Sequence, residues 1–281
     1  MTKQNTTINI SHELNHAKTS FINDLERISK YAVIAEQVSK ISSEIQLPEN
    51  SIEFFFGFGI HSSPTNAKEH DEAIQQEVLE NYYEYSTRYA VIVMITTCEM
   101  YLIRLLWIAK ICDWIKNNKS MSGQQFYDLG AEARKEARYT SVPKLVEKIS
   151  KEIGEEIYFD DLPIFNSIYN ARNCLAHRRG EIGKEDIDEN GDFKLLWKTL
   201  QLTVDGAPQE QIRGLYVEAG NQVGFRFIVS EKKLSAGEKL VLTAQDCQNI
   251  AFTLAGFSAN MTKAIENAAR KIIVPGSFAS Q

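Results

Sequence analysis

Ala90-Val-Ile-Val-Met-Ile-Thr-Thr-Cys-Glu-Met-Tyr-Leu-Ile-Arg-Leu-Leu-Trp-Ile108 is apolar on nearly every side when wound as a helix. A helix without a polar face is either the centre of a bundle or a membrane span. The wider stretch 89–115 is interrupted by Glu99, Arg104, Lys110 and Asp113. No run in it reaches the roughly 18–20 apolar residues of a span. The stretch therefore predicts a core helix, with no membrane, and it sets the fold class as a helical bundle.

Working outward, the pattern stays helical from Lys68 to about Asn117, in one or two pieces. Before it, residues 11–45 carry Phe21, Ile22, Leu25, Ile28, Tyr31, Ala32, Ile34 and Ala35 at helical spacing. Leu47-Pro48-Glu49-Asn50 ends that helix. A shorter helix is predicted over 124–138. Another starts at Ser141-Val142-Pro143 and stops at Gly154, with serine as cap and proline in the first turn. Asp160 or Asp161 then caps a helix containing Pro163, Ile164, Phe165, Ile168, Tyr169, Ala171, Leu175 and Ala176, ending at Gly180.

After an acidic loop (Glu185, Asp186, Asp188, Glu189, Asp192) the period changes to that of strands. Residues 200–204, 213–217, 224–229 and 239–242 alternate or are β-branched and aromatic, with Asp205-Gly206 and Gly220-Asn221 as turns. Thr243-Ala-Gln-Asp246 opens a last helix reaching about Ile273, before Pro275 and Gly276. The expectation is a mainly α protein, a helical bundle with a small antiparallel β-meander inserted before the last helix. The segments are an N-terminal helical extension (1–67), a helical core (68–180 plus 243–273) and a β-insert (193–242).

The 281 residues, 43% hydrophobic and 24% charged, are those of an ordinary globular chain. Its 31 Lys and Arg against 37 Asp and Glu give a net charge of −6, which excludes a globally basic nucleic-acid coat protein but not a local basic patch. Cys98, Cys112, Cys174 and Cys247 lie far apart, so free thiols are expected, without disulfides or a zinc knuckle. The first residues, MTKQNTTINISHEL, contain no apolar core of a secretory signal, and a cytoplasmic location is expected.

One segment concentrates polar chemistry: Ile168-Tyr-Asn-Ala-Arg172-Asn173-Cys-Leu-Ala-His177-Arg178-Arg179-Gly180. Asn173 and His177 are four apart and share a helical face. Arg172 lies about 140° round from His177, within reach of the same groove. From Arg172 to Lys184 four cations stand against one acidic residue, Glu181. An imidazole moves protons near neutral pH, and a guanidinium fork matches a phosphate and steadies charge developing on it. Together they suit metal-free RNA cleavage. His177 would take the ribose 2′-OH proton or protonate the leaving 5′-oxygen. Arg172 would hold the phosphorane, Asn173 would orient the imidazole or the phosphate, and Arg178 and Arg179 would grip flanking phosphates. The same cations also suit a plain helix C-terminus, where the dipole favours each by roughly 0.3–1 kcal/mol.

Arg172-Asn173-Cys-Leu-Ala-His177 resembles the R-x4–6-H signature of the HEPN superfamily, in which a polar residue, often Asn, follows the Arg. The preceding Tyr and Ala, the following glycine and the helical frame fit as well. Thr97-Cys-Glu99-Met-Tyr101-Leu-Ile-Arg104 is similar to the long helix before the motif in several bacterial HEPN families. The likeness covers roughly residues 75–180 and 243–273. It implies a helical fold that dimerises so that two Arg/His pairs face one cleft. It also implies metal-independent endoribonuclease activity of the kind used in toxin–antitoxin and phage-defence systems. The catalytic positions would be Arg172 and His177, with Asn173 as companion, no cofactor and no metal. RNA, a second copy and possible pairing with a cognate antitoxin protein are the implied partners. The alternative is a non-catalytic HEPN interaction module that binds nucleotide, RNA or a partner protein.

Among the remaining residues, Glu99 is expected either to hydrogen-bond Arg172, or to pair with another cation or sit at a half-exposed edge, since an unpaired carboxylate in an apolar helix is costly. Phe54, Phe55, Phe56 and Phe58, interleaved with Gly57 and Gly59, read as a hydrophobic plug rather than a phosphate loop. His61 and His70 lack companions at ligand spacing, His12 and His16 make two ligands at most, and Ser62-Ser63-Pro64 has no nucleophile-elbow pattern. Arg134, Lys135, Arg138, Lys144, Lys148 and Lys151 form a basic stripe. It is either a solvated face, with Glu132, Glu136, Glu147 and Glu152 alternating through it, or part of an RNA path.

Overall fold

The structure is a computed structural model that describes residues 9–42, 67–118, 121–154, 161–208 and 220–273. The aromatic run at 54–58, His61, Ser62-Ser63-Pro64, the His70 side chain and the strand expected at 213–217 lie outside the described residues. Among the described residues, six helices and a small three-stranded antiparallel sheet make a mainly helical protein, the sheet coming before the last helix as the sequence predicts. The helices are α1 (Ile10–Ser42), α2 (Ala67–Asn118), α3 (Gly123–Ala137), α4 (Val142–Ile153), α5 (Leu162–Arg178) and α6 (Ala244–Ile273); the strands are β1 (Asp192–Val204), β2 (Ala207–Pro208) and β3 (Val223–Ser235).

α2 is one continuous helix, and it touches all five others. Val91, Met94, Cys98, Leu102, Leu105 and Leu106 on it are fully buried. The residues covering them include Phe21 and Leu25 of α1, Leu145 of α4 and Phe257 of α6, all in one core. Each such side chain removed from water contributes about 1.5–3 kcal/mol. Residues Asn81–Asn118 are long and apolar enough to cross a membrane by length and composition, as the central helix of a bundle also is; half of its most apolar window is buried inside the fold. The N-terminal segment is not peripheral to this core, because Leu14, Phe21 and Leu25 of α1 lie within it.

The sheet has β1 in the middle, with β2 on one edge and β3 on the other. β1 and β3 pair over their whole length, from Asp192↔Ser235 to Val204↔Val223. Phe193, Leu195 and Trp197 point from β1 into the core. The strand is fixed to two helices through its backbone: Leu196 N–H donates to Ser167 Oγ of α5 (2.9 Å), and Lys198 N–H donates to Thr253 Oγ1 of α6 (2.8 Å). The expected strand 239–242 is absent as such. Leu240 and Leu242 are buried, but only Lys239 forms a bridge, with Glu181 just after α5. At the start of α6, Thr243 and Asp246 exchange backbone-to-side-chain bonds of 3.0 Å in each direction, a capping box that also receives Lys232 Nζ from β3.

Lys110 is the one lysine among the described residues that is buried, and its Nζ meets Glu132 (3.0 Å), Glu136 (2.9 Å) and Glu152 (3.1 Å) from α3 and α4. Burial works against the charge of Lys110, but the three carboxylates outweigh it and hold the ammonium protonated well above its ordinary range. Burial likewise raises Glu136, yet Lys110 and Lys148 together keep it below its ordinary 4.5. A depressed carboxyl stabilises the fold above its unfolded value and loses that contribution as pH falls through the folded one. Lys110→Met should therefore lose about 2–4 kcal/mol at neutral pH, less than for a fully buried pair because the carboxylates keep some water. The deficit should shrink below about pH 4.5, where protonation relieves the orphaned acids; urea unfolding of both proteins across that range measures it.

Candidate functional site

α5 begins after Asp161, whose carboxylate does not cap the helix but pairs with Lys198 Nζ of β1 at 2.6 Å. Pro163 occupies the first turn, where its missing N–H costs nothing. Ile164, Ser167, Ile168, Ala171, Cys174 and Leu175 form the buried side. Asn166, Asn170, Asn173 and His177 follow one another at spacings of four, three and four, so they form a stripe along the opposite face. Asn170 and His177 are exposed, and Asn166 and Asn173 are half-buried.

Within this stripe the Arg172 guanidinium donates from Nη1 to Asn173 Oδ1 at 3.1 Å. Arg172 Nε and Asn166 Oδ1 are buried without a hydrogen-bond partner. His177 makes no hydrogen bond or ion pair with any described residue, so its imidazole stands open to solvent. Arg172, Asn173 and His177 thus lie on one helix as expected, with the asparagine between them holding the guanidinium. Asn166 and Asn170 belong to the same stripe and were not singled out from the sequence, although the 4-3-4 spacing was there to find.

The helix ends where the chain turns left-handed, at Arg179 (φ 56°) and Gly180 (φ 91°). Gly180 N–H donates to the Cys174 carbonyl at 3.2 Å, and Leu240 N–H donates to the Gly180 carbonyl at 2.7 Å. Ile182 N–H to Glu238 O (2.9 Å) and Gly237 N–H to Ile182 O (2.8 Å) complete a short clasp. The end of α5 is thereby fixed to the chain entering α6.

Arg178 and Arg179 part company here. Arg178 pairs with Glu185 at 2.9 Å and with the buried Asp186, which also accepts from Gly183 N–H at 2.8 Å. Its guanidinium is therefore used inside the protein, and gripping a phosphate would mean giving up that pairing. Arg179 is exposed. Glu99 is half-buried and forms no hydrogen bond or ion pair with Arg172 or with any other described residue, so of the readings open from the sequence the half-exposed edge holds. Burial, aided by Asp186, pushes the Cys174 thiol up to about 11, and its Sγ donates to the Glu181 carbonyl at 3.3 Å. It is structural, not a nucleophile.

Elsewhere, His16 Nδ1 lies 3.1 Å from Arg104 Nη1, and Arg104 Nη2 donates to Glu13 at 2.8 Å. Among the described residues no three His, Cys, Asp or Glu side chains stand close enough to hold a metal ion. In the basic stripe, Glu132, Glu136 and Glu152 turn to Lys110, while Arg134, Lys135, Arg138, Lys144 and Lys151 are exposed. The acids that alternate with the stripe in sequence are thus partly withdrawn from it in space.

No family model, curated protein or solved structure matches the chain.

A Cβ on Gly180 would stand 2.9 Å from the Leu240 carbonyl oxygen, at a φ that L side chains rarely adopt. Gly180→Ala is expected to destabilise the fold by about 1–3 kcal/mol, through strain and a loosened clasp. A lowered urea midpoint with an unchanged slope is the result to look for.

Proposed function

We propose that this chain is a metal-independent endoribonuclease of the HEPN type, acting in the cytoplasm as a toxin or phage-defence effector. The observation that carries the reading is the α5 stripe: an open imidazole at His177 and a guanidinium at Arg172 held by Asn173 on the same helix. In the reaction, the ribose 2′-oxygen attacks the adjacent phosphorus and its proton passes to a base. The bond to the 5′-oxygen breaks and that oxygen takes a proton from an acid, leaving a 2′,3′-cyclic phosphate and a 5′-OH. His177 serves as base or acid, Arg172 steadies the negative charge on the phosphoryl oxygens, and Asn173 positions the guanidinium. Arg179 holds a flanking phosphate, with Arg178 available only when its acidic partners release it.

A homodimer is part of this reading, because two Arg/His pairs then face one cleft. The stripe from Asn166 to His177 supports it, being polar and exposed at Asn170 and His177. The exposed cations of α3 and α4 extend a path for the RNA backbone, whose contribution weakens with salt. A cognate antitoxin protein would be the partner of such a toxin.

The test is cleavage of a labelled single-stranded RNA with EDTA present. Wild type should cut to cyclic-phosphate ends, and His177→Ala should lose at least about a hundredfold in rate. Arg172→Ala should lose a similar amount, since one charge-assisted donor to the developing oxyanion is worth about 10²–10³. Light scattering should give twice the 31.9 kDa chain mass. Absent cutting by wild type, or cutting by both variants equal to that of wild type, would reject the ribonuclease and leave the interaction module, to be pursued through its partner.

A further inference from the structure

We propose that a groove between α1, α2 and α3 binds a small amphipathic anion, an aromatic or branched apolar body carrying one carboxylate, sulfonate or phosphate. None of its lining residues lies on α5; Arg134 alone is shared with the proposed RNA path, and the probes below report on the groove without RNA. The groove encloses about 490 Å³, within the range of small-molecule sites.

Its floor is aromatic. Phe21 stacks on Tyr101 at 4.7 Å between centroids, and Trp107 lies edge-on to Phe126 at 4.7 Å. The indole N–H of Trp107 is already used by the Phe126 carbonyl (3.2 Å), so its ring is available only as an apolar surface. Small residues keep the space open: Ala17 on α1, and Gly130 on α3, where a Cβ would stand 3.3 Å from the Trp107 ring. Met100 is 63% exposed at the mouth, a large apolar side chain with no covering element among the described residues.

The charge at the rim favours an anion. Arg104 is oriented by Glu13 and His16, with only part of its N–H fork engaged. Arg134 is exposed and makes no ion pair with a described residue. The one acidic side chain in the lining, Asp24, lies 3.9 Å from Arg27. An apolar body on Trp107 and Met100 with its anionic group toward Arg134 satisfies both surfaces.

The probes are 8-anilinonaphthalene-1-sulfonate and its uncharged counterpart N-phenyl-1-naphthylamine, followed by fluorescence on the full chain. Two exposed positions are changed, with folding checked by circular dichroism: Arg134→Glu at the rim and Ser20→Trp to fill the groove. Wild type should bind both probes saturably. Arg134→Glu should weaken the sulfonate roughly tenfold and leave the amine unchanged. Ser20→Trp should remove both. Sulfonate binding that is absent, or equal in wild type and both variants, overturns the site. Loss only in Ser20→Trp, or equal loss of both probes in Arg134→Glu, overturns the anion preference.

Discussion

The apolar surface of α2 runs nearly all the way round the helix, so keeping water off it takes helices on several sides. That requirement accounts for the order of the rest. α1 lies along it, α3 and α4 come back across it, and α5 and α6 cover further sides, each contributing apolar residues to a single core and leaving Met100 exposed. Most polar side chains drawn into that core find partners, the Trp197 indole N–H being an exception. Tyr101 donates its hydroxyl to the Ser258 carbonyl at 2.8 Å and shares a 2.8 Å bond with Thr262, while Thr87 bonds back to its own helix. Lys110 is the costliest of them. It is tolerated because three carboxylates from two other helices neutralise it, which also locks α3 and α4 to α2.

The same constraint decides what α5 shows to solvent. Its apolar side is committed to the core and to β1, so its other side carries the asparagines and His177 outward. The clasp between 180–182 and 237–240 then fixes where the stripe ends, because the left-handed turn at Arg179 and Gly180 directs the chain back toward the entry of α6. Arg178, one residue earlier, points into the loop that follows and is consumed by Asp186 and Glu185. The rotation of about 100° from one helical residue to the next thus separates an open histidine from an internally used arginine, although the two are neighbours in the chain.

Helices were the legible part of the sequence, because their caps and apolar periods are local. The end of α4 at Gly154 and of α5 near Gly180 follow from glycines that the structure holds at positive φ. The start of β1 was missed because Leu195-Leu196-Trp197 hides the alternation of Phe193, Leu195 and Trp197 behind an extra apolar residue. Residues 239–242 looked like a strand for the opposite reason. Leu240 and Leu242 are buried, but their backbone turns to the exit of α5, a pairing that depends on a segment almost sixty residues earlier in the chain. Asp161 was legible as a cap by type, yet Lys198 takes its carboxylate. Glu99 and Arg172 fail to meet because nothing in either local pattern fixes the distance between α2 and α5. The three glutamates around Lys110 looked like ordinary alternation with the basic stripe until the fold turned them inward.

On the proposed reaction, the geometry of a single chain also argues for a second copy. In-line displacement at phosphorus needs a proton removed on the attacking side and another supplied on the leaving side. One α5 offers one imidazole, and among the described residues the Arg172 side chain hydrogen-bonds to its own neighbour Asn173 alone. Glu99, the carboxylate that the sequence offered as a partner for Arg172, does not join them, and burial holds the Cys174 thiol protonated. Another copy presenting the same face would supply the missing imidazole and a second guanidinium across the scissile phosphate. Among the described residues the Arg172 guanidinium engages Nη1 alone, with Asn173, and a phosphate oxygen between two such faces is an acceptor of the right charge for the rest of its fork.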